Sequence, residues 1–384
     1  MDNRLKTRSI TFGKNSLLKL IIVVGARPNF IKVAPLIREI ENVENISYLL
    51  LHTGQHFDTE MSDVFFQNLE IPKPDEILEI RTGSPVSQIA NIMIGCEDYF
   101  NNNIPDLVVV VGDVNSTIAA TLAAAKMKIP VAHIEAGLRS RNWNMPEELN
   151  RVVTDRLSNI LFTPTLEDTD NLINEGIDSE KITMVGNIMI DSLLFNLEKI
   201  THSKSILDAQ SLNTKNYALL TLHRPECVDN KSVLSGIMDA LKAIEKNIVI
   251  VWPIHPRTQK NLEDFNLLKD LKRLEGLKCI GPLGYLDFLS LMVNSKMVLT
   301  DSGGIQEETT VLGIPCLTLR EETERPITVK IGTNKVVGLS SHKIAESAIE
   351  LCEGTSPGGK IPPKWDGKTA KRIVDVILKW AKEQ

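Results

Sequence analysis

Residues 107–111 read Leu-Val-Val-Val-Val, a strand-length run with no polar position. A strand with one wet face alternates apolar and polar residues, so a run apolar throughout needs cover on both faces. Runs of strand length recur at 20–24, 46–51, 106–111, 130–134, 160–163 and 181–185. Between them lie longer stretches with apolar residues at helical spacing, for example 29–41, 86–100, 115–125 and 147–157. That alternation predicts α/β architecture, a doubly wound parallel sheet with helices on both sides.

The rhythm restarts in the second half. A polar stretch at 203–215 reads as a linker, and new strands are expected at 217–222, 248–252, 277–280, 297–300 and 315–319. At 384 residues the chain exceeds the usual size of one core. Two Rossmann-like α/β domains facing each other are therefore expected, the first over 19–190 and the second over 191–365. A Pro/Gly-rich stretch at 354–363 precedes a last helix at 368–382. That segment, 366–384, is expected to pack back on the first domain.

Bulk properties exclude several classes. The formal charge of −6 argues against nucleic acid as a partner, which calls for a basic stripe. It leaves a phosphorylated small molecule open, because a few local cations suffice. The five cysteines are scattered and never form C-x-x-C. This disfavours a disulfide framework and a structural zinc site, and suits the cytoplasm. No apolar run approaches the ~18 residues of a membrane span. The basic-then-apolar N-terminus imitates a signal peptide, but Lys19 interrupts the apolar run and Arg27-Pro28 stand where small residues would mark cleavage.

Ligands of open parallel sheets sit beyond the carboxyl ends of the strands. Here nearly every predicted strand ends in a charged or phosphate-friendly group. Gly25, Arg27 and Lys32 follow the first, Asp113 the third, and Glu135 the fourth, with Glu147 soon after at a helix start. In the second half the strand ends bring His223, His255 and the run Thr-Asp-Ser302-Gly303-Gly304-Ile-Gln-Glu-Glu308. Free N–H groups where a Gly-Gly turn opens a helix bind phosphate oxygens. Taken singly, Glu147 also fits a helix-dipole role, Asp113 an N-cap, and either histidine a structural one. Asp366-Gly-Lys-Thr369 imitates the tail of a P-loop, but Pro362 stands where its first glycine belongs and no strand leads in.

The ordered set of motifs resembles the non-hydrolysing UDP-N-acetylglucosamine 2-epimerases. It comprises Gly-Ala-Arg-Pro-Asn-Phe-Ile-Lys, Val-Gly-Asp-Val, His-Ile-Glu-Ala-Gly-Leu-Arg and Pro-Glu-Glu-Leu-Asn-Arg. It continues with His-Arg-Pro-Glu, Thr-Asp-Ser-Gly-Gly-Ile-Gln-Glu-Glu and Glu-Thr-Glu-Arg-Pro. The resemblance runs from about residue 20 to the C-terminus and leaves 1–18 as an N-terminal extension. It implies a GT-B type fold with the active site in the interdomain cleft. The implied activity is inversion at C-2 of UDP-N-acetylglucosamine to UDP-N-acetylmannosamine, through UDP elimination to a 2-acetamidoglucal and re-addition. No cofactor and no metal are implied, and a homodimer is.

By the same resemblance Asp113, Glu135 and Glu147 are the acid/base carboxylates and His223 the catalytic histidine. Arg27 and Lys32 contact the diphosphate. Ser302, Gly303 and Gly304 hold phosphate, with His255 a further phosphate-side candidate. Glu308 takes the ribose, Phe288 and the backbone near Leu283 flank uracil, and Arg325 completes the pocket. Gln55 and His56 lie where some members bind a second, activating UDP-N-acetylglucosamine. The alternatives are a glycosyltransferase, a non-catalytic nucleotide-sugar sensor, and an epimerase of UDP-2,3-diacetamido sugars.

Overall fold

The computed structural model describes residues 17–55, 66, 70–80, 83–200, 205–354 and 358–384. The chain divides into two compact units, Met1–Ser192 with Asp366–Gln384, and Leu193–Trp365.

The first unit is built on seven parallel strands: β1 (Leu18–Val24), β2 (Ile46–His52), β3 (Glu76–Ile77), β4 (Leu107–Val111), β5 (Val131–Ile134), β6 (Ile160–Thr163) and β7 (Ile182–Met184). Their order is β3-β2-β1-β4-β5-β6-β7. Every residue of β4 is buried. Its alternate side chains feed two cores, as a sheet covered on both faces requires. Leu107, Val109 and Val111 join Leu20, Ile22 and Val24 on one side, while Val108 and Val110 join Ile21 and Val23 on the other. β1 starts at Leu18, inside the stretch assigned to the extension, because the Leu18 N–H bonds to the Asn45 carbonyl at 3.0 Å and its side chain is buried.

The C-terminal helix, Thr369–Glu383, belongs to this unit. Its Ile373, Val374, Ile377 and Ala381 enter the same core as β1. The N–H groups of Thr369 and Ala370 donate to the Asp191 carboxylate at 3.1 and 2.8 Å. The helix start that imitated a phosphate loop is thus closed by a carboxylate of its own chain.

The second unit has six parallel strands: β8 (Tyr217–Thr221), β9 (Val249–Pro253), β10 (Leu277–Ile280), β11 (Met297–Thr300), β12 (Cys316–Thr318) and β13 (Asn334–Val336). Their order is β10-β9-β8-β11-β12-β13. The stretch read as a linker contains a helix, Ser205–Ala209, with Leu207 buried. Lys215 then ties its end to this unit, Nζ donating to the carbonyls of Val293 and Ser295 at 2.8 Å. One helical turn within a polar segment is too short to show a period, so composition alone reads it as linker.

Gly25 is required by close approach rather than by its backbone angle. It lies outside the positive-φ glycines, but a Cβ there would stand 1.8 Å from Ser116 Oγ and 2.8 Å from Thr53 Oγ1. Glycine at the end of β1 lets helix Asn115–Lys126 approach the strand.

Candidate active site

Both sheets reverse direction of winding in the middle, between β1 and β4 and between β8 and β11. Crevices beyond the carboxyl ends of such strands are where α/β sheets bind ligands. The turns after these strands and their neighbours carry Asp113, Glu135, His223, His255 and Ser302.

In the first unit, the turn after β4 brings Gly112 and Asp113, and the turn after β5 brings Glu135. Lys32, from helix Arg27–Glu41, makes an ion pair with Glu135 Oε2. Room for it comes from Gly112, whose φ is +69°, since a Cβ there would lie 3.3 Å from Lys32 Nζ. Asn29 braces the first turn: its Oδ1 accepts the N–H groups of Gly25 and Ala26, and its Nδ2 donates to Val111. Glu135 itself sits at φ +74°, a left-handed conformation that non-glycine residues seldom adopt. Adjacent bonds hold it there, because the N–H groups of Glu135 and Ala136 both donate to the Phe162 carbonyl. Strain held by the surrounding fold concentrates at functional positions.

Helix Pro146–Leu157 carries two partners of Asp113. Glu147 lies half-buried in its first turn. Arg151 Nε meets Asp113 Oδ2 at 3.1 Å, and Asn150 Nδ2 donates to the Asp113 carbonyl at 2.8 Å. Glu148 is buried, accepting the N–H groups of Ser140 and Arg141 at 2.9 and 2.8 Å. Of the two adjacent acids, Glu148 is therefore taken up by its own loop. Arg27 is exposed at the start of its helix. Gln55 Oε1 accepts from both the N–H and the hydroxyl of Ser116, and His56 lies outside the described residues.

In the second unit, Asp301 organises the end of β8. Its Oδ2 accepts the N–H groups of His223 and Arg224 at 2.8 and 2.7 Å, and Oδ1 lies 3.1 Å from His223 Nδ1. Burial alone would raise the Asp301 carboxyl, but His223 and those N–H groups outweigh it and keep it below the usual range. The His255 ring lies 5.8 Å from that of His223. Its Nδ1 accepts the Arg257 N–H, which leaves Nε2 as the N–H donor. Burial, with His223 beside it, holds His255 below the usual histidine range.

Ser302, Gly303 and Gly304 open helix Gly303–Leu312 directly after β11. Gly303 packs against the ion-pair cluster behind it, where a Cβ would stand 3.2 Å from Glu324 Oε1. Arg325 Nε pairs with Glu307 at 2.7 Å, and Arg320 with Glu324 at 2.7 Å. Burial opposes ionisation of Glu324, yet Arg325, Arg320 and Arg224 pull its carboxyl down to about 2. Phe288 lies half-buried on helix Tyr285–Asn294, just beyond Leu283. From the same helix the Tyr285 hydroxyl donates to Glu308 Oε1 at 2.8 Å.

Burial pushes Glu308 up to about 7, Tyr285 opposing and Glu307 assisting. An unfolded Glu titrates near ~4.3, so the native chain keeps a proton that the unfolded chain releases between these values. The stability from protonated Glu308 is present at low pH and lost as pH rises through about 7. Without ligand, the wild type should therefore lose more Tm between pH 6 and 8 than a Glu308→Gln variant. Equal losses would count against that assignment.

Asp301, Arg151, Asn150, Tyr285 and Glu324 are not singled out by the sequence. All but Tyr285 lie inside the motifs of the family resemblance, which is the available signal; Tyr285 shows its role only through its folded contact with Glu308.

Residues 38–378 match the family profile of UDP-N-acetylglucosamine 2-epimerase. The chain belongs to that family. A UDP-N-acetylglucosamine 2-epimerase of Methanocaldococcus jannaschii is 43% identical over 94% of this chain and 99% of its own length. A UDP-2,3-diacetamido-2,3-dideoxy-D-glucuronate 2-epimerase of Pseudomonas aeruginosa is 42% identical, over 94% of this chain and 100% of that one. The crystal structure of the M. jannaschii enzyme in complex with UDP-GlcNAc and UDP superposes with a TM-score of 0.87 at 42% identity, covering 94% of this chain and 100% of the other. This member of the 2-epimerase family is thus an isomerase, a carbohydrate epimerase of GT-B type with two parallel-sheet units. Among its described residues no helix is long and apolar enough to cross a membrane.

Proposed function

We propose that this epimerase interconverts UDP-N-acetylglucosamine and UDP-N-acetylmannosamine, supplying N-acetylmannosamine-type sugars for cell-surface polysaccharide. The observation that carries the reading is that Asp113 and Glu135 follow the neighbouring strands β4 and β5, with Glu147 in the first turn of the helix whose Arg151 pairs with Asp113, in a chain of this family.

The hydrogen on C-2 has no neighbouring ring carbonyl to acidify it. Departure of UDP from C-1 builds positive charge on the ring and makes that hydrogen labile. In the forward half, the C-1–O bond breaks with its electron pair leaving on UDP, a carboxylate takes the C-2 proton, and a C-1=C-2 double bond forms. In the return half, a carboxylic acid protonates C-2 from the opposite face and UDP adds back to C-1. Proton donors and acceptors are needed on both faces, hence several carboxylates. We assign these to Asp113, Glu135 and Glu147, with Lys32 fixing Glu135 through its ion pair.

The leaving diphosphate needs preorganised donors. We assign Ser302, Gly303, Gly304 and His255 Nε2–H to it, with Arg27 as a further cation. His223, oriented by Asp301, is the catalytic histidine near the departing phosphate. Glu308 takes the ribose, while Phe288 and Leu283 flank the uracil and Arg325 closes the pocket.

Incubation with UDP-N-acetylglucosamine in deuterated water tests the reading. Epimerisation by this route places deuterium at C-2 of both sugars and releases a trace of glucal and UDP. A product with no label at C-2, as a glycosyltransferase would leave, overturns it. The 42% identity to the P. aeruginosa enzyme favours one second reading, a UDP-2,3-diacetamido sugar as the preferred substrate. Turnover of the two substrates side by side decides between them.

A further inference from the structure

Beneath the two catalytic turns of the first unit lies a buried polar network that the proposed chemistry does not use. His133 on β5 is fully buried, with Nε2 2.8 Å from the Gly112 carbonyl and Nδ1 2.6 Å from Asp155 Oδ1. Asp155, also buried, uses Oδ2 to accept the Gly137 N–H at 3.1 Å and to meet Arg139 at 2.8 Å. Arg139 in turn grips Glu175 with Nε and Nη2 at 2.8 and 2.7 Å. Burial would raise the Asp155 carboxyl, but His133 and Arg139 more than offset that and keep it ionised.

The points where this network touches backbone are informative. Gly112 immediately precedes Asp113, and Gly137 lies two residues beyond Glu135. Both glycines have positive φ, and Glu135 between strand and turn is held at +74°. One imidazole and one carboxylate therefore join the turn that carries Asp113 to the turn that carries Glu135. A purely apolar packing would suit a buried position between two strands at least as well for stability, since buried ion pairs seldom stabilise more than hydrophobic residues of similar size. What the network adds is direction, because hydrogen bonds fix the two turns against each other where apolar contacts would let them slide.

We propose that His133 and Asp155 are positioning residues that set the spacing of the Asp113 and Glu135 carboxylates for proton transfer at C-2. The proposal rests on the epimerase reading above. Displacement of a reacting group by about 1 Å can cost on the order of 10²-fold in rate. The side chains that hold phosphate on that reading all belong to the second unit, apart from Arg27, which the network does not touch, so nucleotide affinity should not follow.

The test is Asp155→Asn in the full-length chain. The amide keeps the size but loses the charge and can accept on one side only, so its NH₂ faces either His133 or the Gly137 and Arg139 donors. Three quantities are read: kcat for epimerisation, the rate of deuterium entry at C-2, and the Kd for UDP by calorimetry. The expected result is a drop of about 10–100-fold in kcat and in deuterium entry alike, with UDP affinity unchanged. Glu175→Gln loosens Arg139 from the outer side only and serves as the control for stability. It should lower Tm with kcat retained.

If Asp155→Asn does not yield folded protein, His133→Gln replaces it, read by the same three quantities. A folded variant with wild-type kcat overturns the proposal, as does a Glu175→Gln variant whose kcat falls as far as that of Asp155→Asn. Failure of the underlying reading looks different, since the wild type itself would then admit no deuterium.

Discussion

Replacing Glu135 by glutamine is expected to lower turnover by about 10²–10⁴-fold, the usual contribution of a positioned acid or base, while UDP binds as before. The argument is local. A glutamine at this position has the same length, and its amide oxygen can still accept from Lys32, so the ion pair becomes a hydrogen bond and the turn stays in place. The left-handed backbone at φ +74° is no worse for glutamine than for glutamate. What disappears is the capacity to hold or release a proton beside C-2. Single-turnover assays in deuterated water, with UDP titration as the binding control, give the answer. A variant that still turns over at the wild-type rate would remove Glu135 from the chemistry.

His223→Ala should also separate chemistry from binding, lowering kcat by about 10²–10³-fold, in keeping with the loss of one preorganised donor. Removal of the ring leaves Asp301 bonded to the N–H groups of residues 223 and 224, so the end of β8 keeps its course. UDP affinity is expected to fall far less than turnover, because Ser302, Gly303 and Gly304 are untouched. Parallel loss of kcat and affinity would recast His223 as a binding group with no special part in bond breaking.

The strand ends are legible in the order of residues alone, and they lead to Asp113, Glu135, Glu147, His223 and the Ser302-Gly303-Gly304 turn. The reason is physical: an all-apolar strand followed by charge leaves few places for that charge except the carboxyl edge of a covered sheet. The interior strands are legible for the same reason. β3 and β13 are not, because two or three residues with Glu, Asn or Lys among them carry no apolar run. Side-chain partners are the larger gap. Lys32 is expected beside the diphosphate and stands on Glu135 in the structure. Arg151, Asp155 and Asp301 find their partners through the fold, and spacing along the chain says nothing of such pairs. Glu148 shows the same limit, since two neighbouring glutamates look alike until one is found buried under Ser140 and Arg141.

The closing of the first unit by Thr369–Glu383 also has a bearing on how the protein is made. When a ribosome has completed residue 192, all seven strands of the first sheet exist, but the helix that supplies Ile373, Val374 and Ile377 to its core does not. The second unit, Leu193–Trp365, is continuous in sequence and can be finished first. During that interval the face of β1 and helix Arg27–Glu41 lacks its final cover, and Asp191 lacks the two N–H groups it later accepts. The nascent chain thus has an ordering problem that the finished enzyme conceals: the half that is translated first is the half that matures last.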